Sequence, residues 1–180
     1  MPPVRGEADQ SAGLPAADAE NPWHTLVRRM RRHGISLSFA ESCTGGLLGA
    51  AISDVPGASA VFLGGVVAYA NRIKNEILQV DEALLECHGA VSEACALAMA
   101  GGARALFQSD IALAVTGIAG PGGGTKEKPL GTVWIALARE GYAYARCFCF
   151  SGSRAEVRGQ TVSQSVLLLL EELKEENTNG

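Results

Sequence analysis

Three short apolar runs punctuate the chain, and each ends in a polar cluster. ISLSFA (35–40) gives way to Glu41–Gly46, VFLGGVVAYA (61–70) to Tyr69–Lys74, and IALAVTG (111–117) to Thr116–Gly124. Apolar runs of this length read as strands, and the near-continuous ones as buried strands. Helical segments separate them, which points to parallel pairing, because a parallel crossover needs a dozen or more residues. The carboxyl ends of parallel strands share one edge, and open α/β sheets bind ligands at that edge. The three clusters are therefore expected to meet.

The rest of the chain fits around these strands. Asn21 can cap a helix, Pro22 suits its first position and Gly34 can end it. Leu26, Val27 and Met30 give that helix an inward stripe, and Arg28, Arg29, Arg31 and Arg32 read as a solvated face, with a nucleic-acid contact as the sharper alternative. LLGAAIS (47–53) reads as helix and Val55-Pro56-Gly57 as a turn. RIKNEIL, capped by Asn71, and DEALLEC read as two short helices, and Ser92 caps a longer one ending near Phe107. TVWIALARE and YAYARCFCF flank Gly141 as a hairpin. Ser153-Arg154-Ala155-Glu156 is a capping box opening a last helix, whose stripe is Val162, Val166, Leu169, Leu170 and Leu173. The order α-β-α-β-α-α-α-β-β-β-α predicts an α/β fold. Its natural form is a three-layer α/β/α sandwich around a mixed, mostly parallel sheet of about five strands. Residues 1–20 read as a disordered tail, 21–176 as a single domain and 177–180 as a polar tail.

Composition removes several classes of function. The chain has 180 residues, 47% hydrophobic, enough for one well-buried domain. Asp plus Glu is 19 against 15 for Lys plus Arg, a net charge of −4, so general nucleic-acid binding is not expected. No apolar stretch reaches a membrane span, and the first 20 residues have no secretory core, so a cytoplasmic protein is expected. Five cysteines without a C-x-x-C pair fit neither a disulfide framework nor a zinc knuckle. Cys147 and Cys149 share one strand face and read as small core residues. The three histidines show no ligand spacing, so no metal is expected.

The first cluster can present a nucleophile. Ser42 falls at a tight strand-to-helix turn, and Gly45 and Gly46 would open the helix with unpaired N–H groups facing a developing oxyanion. An N-cap role for Ser42 or Thr44 fits the same spacing. A base could be His88, in a turn between helices, or Lys74, which burial or a neighbouring cation could leave uncharged. Tyr69 could donate to the nucleophile or stack on a planar ring. The third cluster, TGIAGPGGGTKEKP, fails both phosphate motifs: Lys126 follows Thr125 and precedes Glu127, and Thr125 stands where G-x-G-x-x-G needs glycine. What remains is a glycine loop, with Gly117, Gly120 and Gly122, whose N–H groups could hold an anion. Arg154 and Arg158 lie i and i+4 at a helix start. The helix dipole opposes Arg154 there, and either a bound anion or Glu156 would offset that cost.

AESCTGG (40–46), PGASAVFLGGVVAYANRIK (56–74), GAVSEACALAMAGGAR (89–104), TGIAGPGGGTKEKPLGTVW (116–134) and SRAEVR (153–158) together resemble the CinA C-terminal domain family. The likeness spans roughly Trp23 to Leu173. It implies an amidase that converts nicotinamide mononucleotide to nicotinate mononucleotide and ammonia, without metal or other cofactor. It implies Ser42 as nucleophile and Lys74 as general base, with Tyr69 and Thr116 binding or orienting substrate. One arginine, Arg154 or Arg158, would be essential. A homodimer is implied as well. Ser153 stands where many relatives carry Asp, and the 20-residue leader lies outside the pattern. The rival reading is a non-catalytic module that binds a competence or DNA-damage partner or senses a nucleotide.

Overall fold

The computed structural model describes residues 21–175, and the tails predicted at 1–20 and 177–180 lie outside the described residues. The elements run α1 (Pro22–His33), β1 (Leu37–Glu41), α2 (Leu47–Ser53), β2 (Phe62–Val67), α3 (Asn71–Leu78), α4 (Glu82–His88), α5 (Glu93–Phe107), β3 (Ile111–Gly117), β4 (Thr132–Arg139), β5 (Tyr142–Cys149) and α6 (Arg154–Glu175). This is the expected order, with one extra 3-10 turn at Ala58–Ala60.

Local chemistry sets several boundaries. The Asn21 side chain accepts from Trp23 N, Pro22 opens α1, and Gly34 closes it in the left-handed region. Ser153 donates its N–H and its hydroxyl to Glu156 Oε2, both at 2.7 Å, so the capping box forms at α6. One cap differs. Ala70 holds the N-cap position of α3, and Asn71 is its first helical residue with no capping bond.

The sheet has strand order β2-β1-β3-β4-β5. β1 pairs in parallel with both β2 and β3, and β4 runs antiparallel to β3 and β5. Four strands thus point one way and only β4 opposes them. Helices cover both faces. α1, α2 and α6 bury Leu26, Met30, Leu48, Ile52 and Leu169 against Leu37, Phe39, Leu113 and Ile135. α3, α4 and α5 cover the other face, where the strands present Ala40, Ala112, Ala114, Ala136 and Ala138.

Cys147 and Cys149 are exposed, not core residues. They do share a face, but β5 is an edge strand, and its layer of covering helix extends only over Ala145 on that side. No helix among the described residues is long and apolar enough to cross a membrane.

Candidate active site

Because β1, β2 and β3 are parallel, Glu41, Val67 and Gly117 end at one edge. Two further bonds extend the ladder past the strands. Ala68 N donates to Glu41 O at 2.8 Å, and Ser42 N to Val115 O at 3.0 Å. Ser42 therefore sits between the outgoing segments of β2 and β3, on the alanine face.

The chain turns back through α3 and brings Lys74 under this edge. Lys74 Nζ lies 3.1 Å from Ser42 Oγ. It also donates to Ala68 O at 2.8 Å and Tyr69 O at 3.3 Å. The lysine is 1% exposed, and the serine 9%. No carboxylate among the described residues pairs with Lys74. Burial accordingly pulls its amine below the ordinary lysine value of 10.5, with the Cys95 and Cys43 thiols opposing that shift. A neutral amine has two N–H bonds, which the Ala68 and Tyr69 carbonyls take up. In that neutral form the lone pair would be free to accept the Ser42 proton. His88 is exposed, and its carbonyl instead accepts from Lys128 Nζ at 3.0 Å.

Glu41 organises the turn that carries Ser42, a role the sequence reading did not foresee. It is 2% exposed. Its Oε2 accepts from Thr44 Oγ1 at 2.7 Å, Gly46 N at 2.9 Å and Leu48 N at 3.1 Å, and its Oε1 accepts from Gly49 N at 2.9 Å. One carboxylate thereby caps α2 and fixes the preceding loop. This corrects the expectation of free glycine N–H groups. Gly46 N is taken by Glu41, and Gly45 N donates to Ser42 O at 3.2 Å. Gly45 (φ 60°) and Gly46 (φ 99°) serve instead by turning the chain through the left-handed region. Within Ser42–Gly46, the N–H groups of Cys43 and Thr44 meet no oxygen acceptor among the described residues and are turned toward the Cys43 sulfur. Cys43 packs into the large-residue core, where burial pushes its thiol up to about 11.

The start of α6 fastens the edge from above. Arg154 donates from Nη2 to Tyr69 Oη at 2.7 Å and from Nη1 to Gly120 O at 2.8 Å. Arg158 Nη2 donates to Thr44 O at 2.6 Å, while its buried Nε meets no partner among the described residues. The two arginines thus join all three clusters. Glu156, which might have answered Arg154, is spent on Ser153. Tyr69 is 60% exposed. Thr116 is buried and donates to Ala90 O at 2.8 Å. Gly117 packs against the start of β4, and Gly120 and Gly122 lie on the loop beyond it. No cluster of three potential metal-binding side chains occurs among the described residues.

Fold and site together define a class: a three-layer α/β domain with a buried serine–lysine pair at the carboxyl edge of its parallel strands. Residues 20–173 match the CinA C-terminal domain, and the chain belongs to that family. It is 52% identical over 143 residues to a CinA-like protein of Geotalea uraniireducens, covering 79% of this chain and 34% of that one. It is 47% identical over 154 residues to a putative competence-damage inducible protein of Desulforudis audaxviator, covering 86% and 37%. The chain spans about a third of the length of these curated relatives. Among solved structures, a CinA superfamily protein of Klebsiella pneumoniae superposes with a TM-score of 0.81 at 38% identity, covering 85% of this chain and 98% of that one. A CinA superfamily protein of Escherichia coli gives a TM-score of 0.80 at 35% identity, covering 88% and 94%.

Proposed function

We propose that the protein hydrolyses the carboxamide of nicotinamide mononucleotide, releasing nicotinate mononucleotide and ammonia. The observation that carries this reading is the 3.1 Å approach of Lys74 Nζ to Ser42 Oγ in a site with no carboxylate to keep the amine charged. Neutral Lys74 accepts the Ser42 proton as Oγ bonds to the carboxamide carbon. The pyridinium charge draws electrons from that carbon and makes it more electrophilic. The Cys43 and Thr44 N–H groups receive the negative oxygen of the tetrahedral intermediate. The C–N bond breaks, and Lys74 returns the proton to the departing nitrogen, giving ammonia and an acyl ester on Ser42. Lys74 then deprotonates water, which attacks the ester and frees the carboxylate and the serine. Tyr69 lies where it can stack on the pyridine ring. Arg154, exposed beside Gly120, is the cation assigned to the phosphate.

Ammonia release by purified protein tests this directly. Ser42→Ala should reduce turnover by on the order of 10⁴-fold while circular dichroism stays unchanged. Cys43→Ser should keep its activity, because that side chain faces the core. Wild-type-like turnover in Ser42→Ala overturns the assignment. A folded wild-type protein with no turnover favours the partner-binding module.

A further inference from the structure

α1 gathers Arg28, Arg29, Arg31 and Arg32 near its carboxyl end. Elsewhere Arg72, Arg139 and Arg146 each meet a glutamate. Among the described residues, no carboxylate comes within ion-pair distance of the four arginines of α1. Like charges at i, i+3 and i+4 repel, and the helix dipole offsets only part of that cost. In a chain of net charge −4, this is a local excess of cation.

Three of the four arginines line an open surface cleft. His24, Arg28, Arg31 and Arg32 fall at i, i+4, i+7 and i+8 along one side of a cleft of about 590 Å³. Val27, Val55 and Pro56 supply its apolar wall. The Arg31 side chain reaches from α1 to the turn after α2: its Nη1 would stand 3.0 Å from a Cβ on Gly57. The cleft lies at the far end of the sheet from Ser42. α1 hands over there to the start of β1, and the turn after α2 leads into the start of β2.

We infer that this cleft binds a polyphosphate anion, either the phosphate chain of a nucleoside triphosphate or inorganic polyphosphate. Guanidinium forks match phosphate oxygens in bidentate geometry. Several forks one turn apart suit consecutive phosphates better than a lone carboxylate. This site is independent of the proposed hydrolysis.

Calorimetric titration of the intact protein with inorganic tripolyphosphate, and separately with adenosine triphosphate, is the test. Saturable binding is expected, weakening as added salt screens the arginines. The double variant Arg28→Glu/Arg31→Glu should weaken it by about tenfold or more. Arg28→Gln/Arg31→Gln should do so in the same direction and guards against misfolding of the first variant. Arg72→Glu, on α3, should leave binding unchanged. Equal affinity for the two probes assigns the cleft to the phosphate chain alone, and tighter binding of adenosine triphosphate adds the apolar wall to the recognition. Absence of saturable binding to both probes, or full binding by the glutamine variant, overturns the inference.

Discussion

The two faces of the sheet are built from different volumes. Toward α1, α2 and α6, β1 and β3 present Leu37, Phe39, Ile111, Leu113 and Val115. Toward α3, α4 and α5, the same strands present Ser38, Ala40, Ala112, Ala114 and Thr116. The first face stabilises the fold by displacing water from large side chains. On the second, short side chains allow the helices to lie close to the strands. Within the same layer Gly102 of α5 lets α3 come close, since a Cβ there would run into the Leu78 carbonyl. The buried charges divide in the same way. Glu41 points to the bulky side and is ringed by donors, whereas Lys74 lies on the thin side among carbonyls and a hydroxyl. The bulky face supplies stability, and the thin face brings a base to the serine.

The sharpest way to break this contrast is at Lys74. Lys74→Met should lower ammonia release by about 10²- to 10⁴-fold with folding retained. Lys74→Arg should fail similarly, since arginine keeps its proton. Volume changes come next: removing volume from the bulky face and adding it to the thin one should both destabilise. Leu113→Ala should cost about 2–5 kcal/mol in denaturant unfolding, because it leaves a hole. Its neighbour Ala114→Val should cost about 1–3 kcal/mol by overpacking, and should lower kcat in the folded protein by shifting α5 and the base beside it. A kcat loss confined to Leu113→Ala would reverse the roles assigned to the faces. Glu41→Gln should destabilise by about 1–3 kcal/mol, because its amide nitrogen must confront at least one buried donor.

The smallest effect is in pH. With the folded amine below 10.5, the unfolded chain binds a proton that the folded one refuses. Lys74 therefore makes stability rise with pH between its lowered pKa and 10.5, and Lys74→Met should remove that slope from thermal melts. Turnover by the wild type should fall as pH drops through the lowered value.

Much of this frame is legible in the residues themselves. Asn21, Pro22 and Gly34 mark α1 because caps act locally, and IALAVTG marks β3 because both its faces are buried. The meeting of Ser42 with Lys74 follows from parallel strands sharing an edge. Glu41 escaped because three of its four partners are main-chain N–H groups, which no side-chain pattern announces. The same bonds explain the misplaced oxyanion donors. Cys147 and Cys149 escaped because alternation reports a shared face but not whether a helix covers it.

The arginine clasp has a consequence for biosynthesis. Ser42 and Lys74 come before α6 in chain order, yet the side chains that fasten their loops belong to α6, the last element of the described fold. A nascent chain, folding from its first residues onward, would hold the pair beneath an open edge until Arg154 and Arg158 emerge. Emergence of α6 and completion of the site would then be a single event.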